Sequence, residues 1–581
     1  MELQNSIMKY RNLAIILLLF CLCVRPVLTI ADEALPVMEM SADRVTIYPQ
    51  RMELNGEETL FDILQLYPDI LTNAYDNWLE NYEIRIDNGP YGGDMRVLLN
   101  EMKAVRIKKI QISDNPGVAK GTTGMEGVVD VFLMPIEKGA HGTVAAEISQ
   151  NVSTTPFVEF RYGSNNTDIL ANASYNFVPI DPYDTHKQYS NFHMINQLGE
   201  KDQLVTYFTQ SYERTHFIAL DPVYIVDIDR KEYRTYFGQL RHYHYFKPDM
   251  SLMSAVVYQY GRYPVLRPDY PSGVVRDSIS NERTHIVAVV EEFNATLFDG
   301  FNLMAGVEAD FVIDDKRNKS SYYNGFNSDR FNADMYAELD YTFRNWRFTV
   351  GDRVRYFRYH VVQPSYPSDV DHMQNRCHNL LHTSVIYTPH REHQIQLAYV
   401  QKYISPSYTA IQFDAEPIHE VKLAYNFARP NVSASLGTYY YNYNSYGDNV
   451  QFFKIDASAY YHYRFFSISG GVSSQIGRNG DDYKYAFASF RLTPTFEIPY
   501  GMQVKVRTEF YTPTSWHRGF SCPTLPYKSS MLSKLAPYES RPVYADLQFS
   551  KYWKHVDVYA LWHDIFNGNY GIATLGVRVK M

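Results

Sequence analysis

Ala333 to Phe343 reads ADMYAELDYTF, and this stretch decides the fold. In an extended chain successive side chains point to opposite sides, so Ala333, Met335, Ala337, Leu339, Tyr341 and Phe343 share one face, against Asp334, Glu338, Asp340 and Thr342 on the other. A face that carries carboxylates must meet water. Gln503 to Phe510 repeats the pattern, with Val504, Val506, Thr508 and Phe510 opposed by Gln503, Lys505, Arg507 and Glu509, and Val543, Ala545, Leu547 and Phe549 form a third apolar row. The alternation alone fits two architectures: a soluble sandwich, whose apolar faces meet each other, and a membrane barrel, whose apolar faces meet lipid.

Loop lengths separate the two. The barrel is expected over 138–581: between His141 and Met581 the pattern gives roughly 22 strand-like segments, about 20 residues each with their connections, where a tilted strand needs about nine to eleven to cross. Short connections fall at Gly199 to Asp202, Lys247 to Asp249, Asp299-Gly300, Arg344-Asn345, Pro389 to Glu392, Ala428 to Pro430, and Pro499 to Gly501. Long ones fall between them, at Ile218 to Lys231, Tyr263 to Glu282, Asp314 to Arg330, Gln363 to Cys377, Ser405 to Pro417, and Pro513 to Glu539. A chain entering a barrel from the periplasm makes its long connection after each odd-numbered strand, and the order here has that parity. A turn at Arg464 to Ser467 is needed to keep it; without that turn the count falls to about 20. Tyr439-Tyr440-Tyr441, Tyr460-Tyr461 and Tyr552-Trp553 are expected in interface girdles. The fold class is an all-β transmembrane barrel of antiparallel strands.

Composition agrees. In 581 residues, 64 acidic against 55 basic side chains leave a net charge of -9, which excludes a nucleic-acid partner, and 51 Tyr and 33 Phe suit strands and membrane interfaces. The single long apolar run is N-terminal: Lys9 and Arg11 precede Leu13 to Val24, Arg25-Pro26 ends it, and Thr29-Ile30-Ala31 offers a cut. Residues 1–31 therefore read as a signal peptide, which removes Cys21 and Cys23. Cys377 and Cys522 remain, as one bridge or as two thiols.

Between the signal and the barrel lies a lead, 32–42, and then a small α+β domain, 43–137. Glu57 to Gln65 reads as an amphipathic helix, with Leu60, Ile63 and Leu64 on one face, an acidic first turn and Pro68 beyond its end. Strands are expected at Arg44 to Tyr48, Glu83 to Asp87, Arg106 to Ser113 and Val128 to Leu133. Gly117, Gly121, Gly124 and Gly127 let backbone turn tightly beside a wall. They do not form a phosphate cradle, because no GKS or GKT follows a strand in the required order.

This domain resembles the plug of TonB-dependent outer-membrane receptors, in particular the Bacteroidetes outer-membrane β-barrel receptor family. Asp43 to Tyr48 resembles its opening strand, Leu60 to Pro68 its proline-terminated helix, and Ile84-Arg85-Ile86-Asp87-Asn88-Gly89-Pro90 its IDG turn with Asn88 inserted. Ile107 to Leu133, IKKIQISDNPGVAKGTTGMEGVVDVFL, is similar to the family's plug hairpin from end to end. The motifs cover about 90 residues; the rest is alike only in barrel pattern. Several features depart from the family: a second strand before the IDG turn is missing, Asp69 follows Pro68, no carboxypeptidase-regulatory-like domain precedes the plug, and Met581 stands where an aromatic residue is common. Leu35-Pro36-Val37-Met38-Glu39-Met40 is the only short apolar run placed as a TonB box would be.

The resemblance implies an outer-membrane receptor or transporter with a short plug, binding an unidentified external ligand and importing it with energy from a TonB complex. Its further partners would be outer-membrane lipid and the barrel assembly machinery. The rival reading is a plugged barrel that no longer transports and serves as a surface scaffold or partner of another outer-membrane protein. The residues singled out are structural: Pro116, Gly117, Gly121, Gly124 and Gly127 of the plug hairpin. No HExxH, GxSxG or supported Ser-His-Asp order appears, so an enzyme is not expected and no catalytic residue or cofactor is assigned. His242 and His244 share a strand face, and His378, His382, His390 and His393 cluster in sequence but straddle a strand and its turn, so a common metal site would need another chain segment and solvated or lumen histidines are expected; Asp227-Ile228-Asp229 lacks further carboxylates for calcium. The tyrosines of Tyr263 to Tyr270 and Tyr322-Tyr323 are candidates for stacking on ligand rings.

Overall fold

The computed structural model describes the chain from residue 37 to 580 apart from breaks in the small domain, the longest at 65–71 and 119–126, and at loop tips, the longest at 404–416 and 512–542. The signal segment, Pro116, Gly121, Gly124, Tyr322-Tyr323 and Cys522 lie outside the described residues.

Twenty-two antiparallel strands, β9 (Gly139–Ser149) to β30 (Ile572–Lys580), pair in chain order and close, with Lys580 opposite Thr143. The oily rows face outward. Met335 is 63% exposed and Phe343 48%, whereas Asp334 between their rows is 5% exposed. A soluble sandwich requires the reverse, since its apolar rows would bury each other. The turn needed near Arg464 is present, joining β24 (Asp448–Tyr463) to β25 (Phe466–Asn479), which gives the count of 22.

The connections differ from expectation on the long side. β13 (Asp202–Leu220) and β14 (Ile225–Lys247) stay paired out to Leu220 opposite Ile225, so the expected loop Ile218 to Lys231 is mostly strand. β15 (Met250–Pro268) and β16 (Asp277–Phe298) pair to Pro268 opposite Asp277, and β17 (Phe301–Lys319) and β18 (Asn324–Phe343) to Lys319 opposite Asn324. Strands of 19 to 23 residues exceed the about nine to eleven that cross a bilayer, and the surplus stands beyond the membrane. There both faces are wet, alternation is lost, and the sequence reads as loop although the ladder of hydrogen bonds continues.

The girdle assignment also needs correction. Tyr439 and Tyr441 are 4% and 7% exposed and face the lumen, where Tyr441 stacks on Phe452 with ring centroids 4.2 Å apart; Tyr440 alone of the three faces out. Tyr460 packs against the small domain's core. Outward ring contacts that do lie near strand ends are Trp346 with Tyr387 at 4.4 Å and Phe298 with Phe301 at 4.7 Å, beside the short turns; Tyr236 with Tyr260 at 6.1 Å lies midway along its strands, about ten residues from the turn.

The small domain is a six-stranded sheet in the order β1 (Met38–Met40), β2 (Val45–Ile47), β7 (Ile107–Ser113), β8 (Gly127–Leu133), β5 (Tyr82–Ile86) and β6 (Gly89–Pro90). Helix α1 (Leu60–Leu64) covers it, with Leu60, Ile63 and Leu64 buried against Ile47, Ile84, Ile110 and Val129 as the 3.6-residue period demands. A separate two-stranded ribbon, β3 (Thr72–Asn73) with β4 (Trp78–Leu79), lies between α1 and β5. Tyr207, Phe237 and Val257 of the barrel wall join the same apolar cluster, so the small domain fills the lumen as a plug.

Candidate functional site

The plug rests on the wall at two places where side chains of the barrel hold its backbone. The first is Gly117-Val118. Gly117 has φ +81, a conformation that L side chains rarely adopt, and a Cβ there would overlap the Glu338 carboxylate. Val118 donates its N–H to Glu338 Oε2 at 2.9 Å, and Arg353 Nη1 donates to the Val118 carbonyl at 3.3 Å. The Val118 side chain is buried against Tyr336, and a Cβ on Gly351 would come within 2.8 Å of its Cγ2.

Arg353 is itself anchored. Its Nη2 donates to Glu308 Oε2 at 2.6 Å and to Asp334, and Arg355 Nε donates to Asp334 Oδ1 at 2.8 Å. Tyr336 donates to Glu292 Oε2 at 3.1 Å beneath the Arg353 guanidinium. Such buried charges are tolerable only because each is paired and hydrogen-bonded.

The second place is the IDNG turn. Asp87 has φ 47, and its carbonyl accepts from Arg241 Nη1 and, at 3.3 Å, from Tyr243. Asp87 Oδ1 accepts the Leu133 N–H at 3.1 Å, which ties the turn to β8. Arg241 is 1% exposed, and a Cβ on Gly89 would meet its guanidinium at 2.5 Å, so the glycine makes room for the anchor. Tyr91 of the plug packs on Tyr207 and Phe237 of the wall at 6.0 and 5.9 Å.

Electrostatics add a third link. Glu83 of β5 keeps about a quarter of its side chain open to the lumen, yet burial pushes its carboxyl up to about 7, with Arg85 pulling the other way and Glu308 of the wall pushing further. The Asp87 carboxyl is also raised, chiefly by burial, against the opposing Leu133 N–H. Between plug and wall, toward the short turns, lies a cavity of about 390 Å³ bordered by Arg44, Asp130, Glu338, Asp340, Arg347 and His382.

Of the sequence-singled residues, Gly117 stands at the wall contact and Gly127 opens β8. The wall residues Glu338, Arg353 and Arg241 were not singled out by sequence reasoning. Their only signal was polarity in an alternating strand, and which lumen charges meet the plug is fixed by barrel register. His242 and His244 do share a face and both bond Asp202 Oδ1, at 3.1 and 2.8 Å, while His382 lies in the lumen 3.4 Å from Glu338 and His393 bonds the Tyr425 hydroxyl at 2.7 Å. Cys377 is exposed on β20 (Val370–His390). Asp227 to Asp229 and Tyr263 lie in strand ends of β14 and β15 rather than in loops.

A closed barrel that presents oily rows to lipid and is stoppered by a folded domain defines a plugged outer-membrane barrel. Solved structures share this architecture: the copper transporter OprC (11% identity, 93% of this chain and 99% of that one, TM-score 0.72) and the ferric-catecholate import receptor Fiu of E. coli K12 in its closed form (11%, 95% and 100%, 0.70). The alcaligin outer-membrane receptor FauA of Bordetella pertussis is similar in the same way (12%, 94% and 95%, 0.69). At such identities the similarity is one of fold. No protein-family model matches the chain, and no curated protein sequence matches it.

Proposed function

We propose that the chain is a TonB-dependent receptor: it captures an external ligand on its outer hairpins and imports it when force on the N-terminal strand unseats the plug. The observation that supports this most is the manner of plug attachment. Wall side chains grip two backbone segments, at Val118 and Asp87, through a few hydrogen bonds that water can replace, each of about 1–3 kcal/mol net. A permanent stopper has no need of polar seats; a releasable one does. Strand β1, with Val37 the described part of Leu35 to Met40, is an edge strand of the plug sheet, paired with β2 alone through Met38 opposite Ile47. A pull on it peels one strand at a time. The import receptors and the copper transporter of like fold suggest a chelated metal as one ligand class.

Deletion of 35–40 tests the reading. Cells whose growth on a limiting metal chelate, peptide or glycan requires this chain are expected to lose that growth with the deleted form, while the barrel still folds and shows a heat-dependent gel shift. Growth that needs the chain but ignores the deletion would leave the scaffold reading in its place.

A further inference from the structure

Arg234, Arg262 and Arg283 stand directly opposite one another on three adjacent strands: in the register Arg234 pairs with Arg262 and Arg262 with Arg283. All three belong to the outward rows. Two residues nearer the short turns on the same strands are Tyr236, Tyr260 and His285, whose rings contact at 6.1 and 4.9 Å. Below these rings the surface is oily, with Val256 51%, Val287 42% and Val289 44% exposed, down to Phe298 at 59% beside the turn. From Tyr236 to Phe246 is ten residues, which at a tilt of about 40° spans about 25 Å, the height of a lipid-facing band. The arginines therefore lie just beyond the band on the side of the long hairpins, at the level of the outer-leaflet headgroups.

Like charges directly opposite on a sheet repel. Glu232, 3.4 Å from Arg234, and Asp315, opposite Arg283, offset part of the charge, while Arg214, opposite Glu232, adds to it. Three guanidinium groups side by side across three strands give this stretch of the outer surface a basic row. An anion between the arginines would turn the repulsion into bridging, and guanidinium is the group best shaped to grip phosphate oxygens two at a time.

We infer that this row binds the phosphate groups of an outer-leaflet glycolipid of the lipid A type. Its sugars would rest against the Tyr236, Tyr260 and His285 rings, and its acyl chains would run over Val256, Val287 and Val289. A free phosphate satisfies the arginines only, whereas the adjoining rings and valines fit the rest of a lipid.

The full chain, purified in detergent, is incubated with diphosphoryl lipid A, with the same lipid after dephosphorylation, or with inorganic phosphate, and bound lipid is read by native mass spectrometry. Diphosphoryl lipid A is expected to be retained about tenfold more than the dephosphorylated form, and Arg234→Gln/Arg262→Gln/Arg283→Gln to lose that preference. The matching Lys triple variant should keep most of it, and Arg344→Gln at a short turn should change nothing. Equal retention of the two lipids by the unaltered chain overturns the inference, as does full retention by the Gln triple variant. Displacement of the lipid by inorganic phosphate at about its own concentration would mark a free-anion site and overturn it too. Should the Gln triple variant fail to fold, the two-lipid comparison on the unaltered chain decides.

Discussion

The carboxylate of Glu338 on the barrel wall accepts the backbone N–H of Val118 in the plug at 2.9 Å, a bond between residues 220 apart in sequence. It works because Gly117 lacks a Cβ, which would otherwise occupy the place of that carboxylate. Gly117→Ala is thus expected to unseat the hairpin, combining an unfavourable φ of about 1 kcal/mol or more with a steric clash. The barrel itself should remain folded. A rise in passage of a bulky antibiotic, with an unchanged heat-dependent gel shift, is the measurement; an unaltered permeability would show that this contact does not hold the plug.

Arg353 carries a heavier role, since it is 2% exposed and neutralises Asp334 and Glu308 while holding the Val118 carbonyl. Arg353→Ala strips Glu308 of its cation while Asp334 keeps Arg355, and frees the Val118 carbonyl, a change of about 3 kcal/mol for a buried network broken on one side. Adding Glu308→Gln should recover part of that loss because the stranded charge is gone. Urea unfolding in lipid vesicles gives both numbers, and strictly additive losses would contradict a shared network.

Glu83 makes plug seating depend on pH. Its carboxyl is pushed from 4.5 up to about 7 when docked, so the docked plug binds a proton that the free plug does not. The stabilisation is complete below about pH 4.5 and is lost as pH rises through about 7, by about 3 kcal/mol in all. Hydrogen exchange of plug amides at pH values either side of this window should show looser seating at the higher one. Glu83→Gln, neutral throughout, should flatten the dependence; the same slope in the variant would place the titrating group elsewhere.

How much of this was legible in the sequence follows from what each signal measures. Alternation in ADMYAELDYTF reports which side chains meet lipid, and it placed Met335, Leu339 and Phe343 outward and Asp334 inward as found. The parity of short turns reported topology, down to the turn between Tyr463 and Phe466. Alternation falls silent where both faces are wet, which is why the paired segments near Leu220 and Ile225 read as loop. It is also blind to the difference between lipid and an apolar cluster inside the lumen, so Tyr439 and Tyr441, packed inward with Ile418, Val450 and Phe452, were misplaced. Plug motifs located Gly117 and the IDNG turn but not Glu338, Arg353 or Arg241. Those partners come from strands far along the chain, and only barrel closure brings them to the plug.

The same alternation exposes one violation that yields a last prediction. On β19 (Trp346–Gln363) the outward residues run Trp346, Phe348, Val350, Asp352, Val354 and Tyr356, all but the aspartate 40% exposed or more. Asp352 sits in the middle of this row, opposite Ala337 and Leu381, with rings closing the row at both ends. A carboxyl facing hydrocarbon costs free energy that a valine does not, less than the about 2–4 kcal/mol of a cation at the midplane but of the same sign. Asp352→Val is therefore expected to stabilise the barrel by about 1 kcal/mol in urea unfolding from lipid vesicles, with plug seating unchanged because the residue points away from the lumen. A loss of stability instead would mean that Asp352 is satisfied on the outer surface, and that its neighbourhood is not bare lipid.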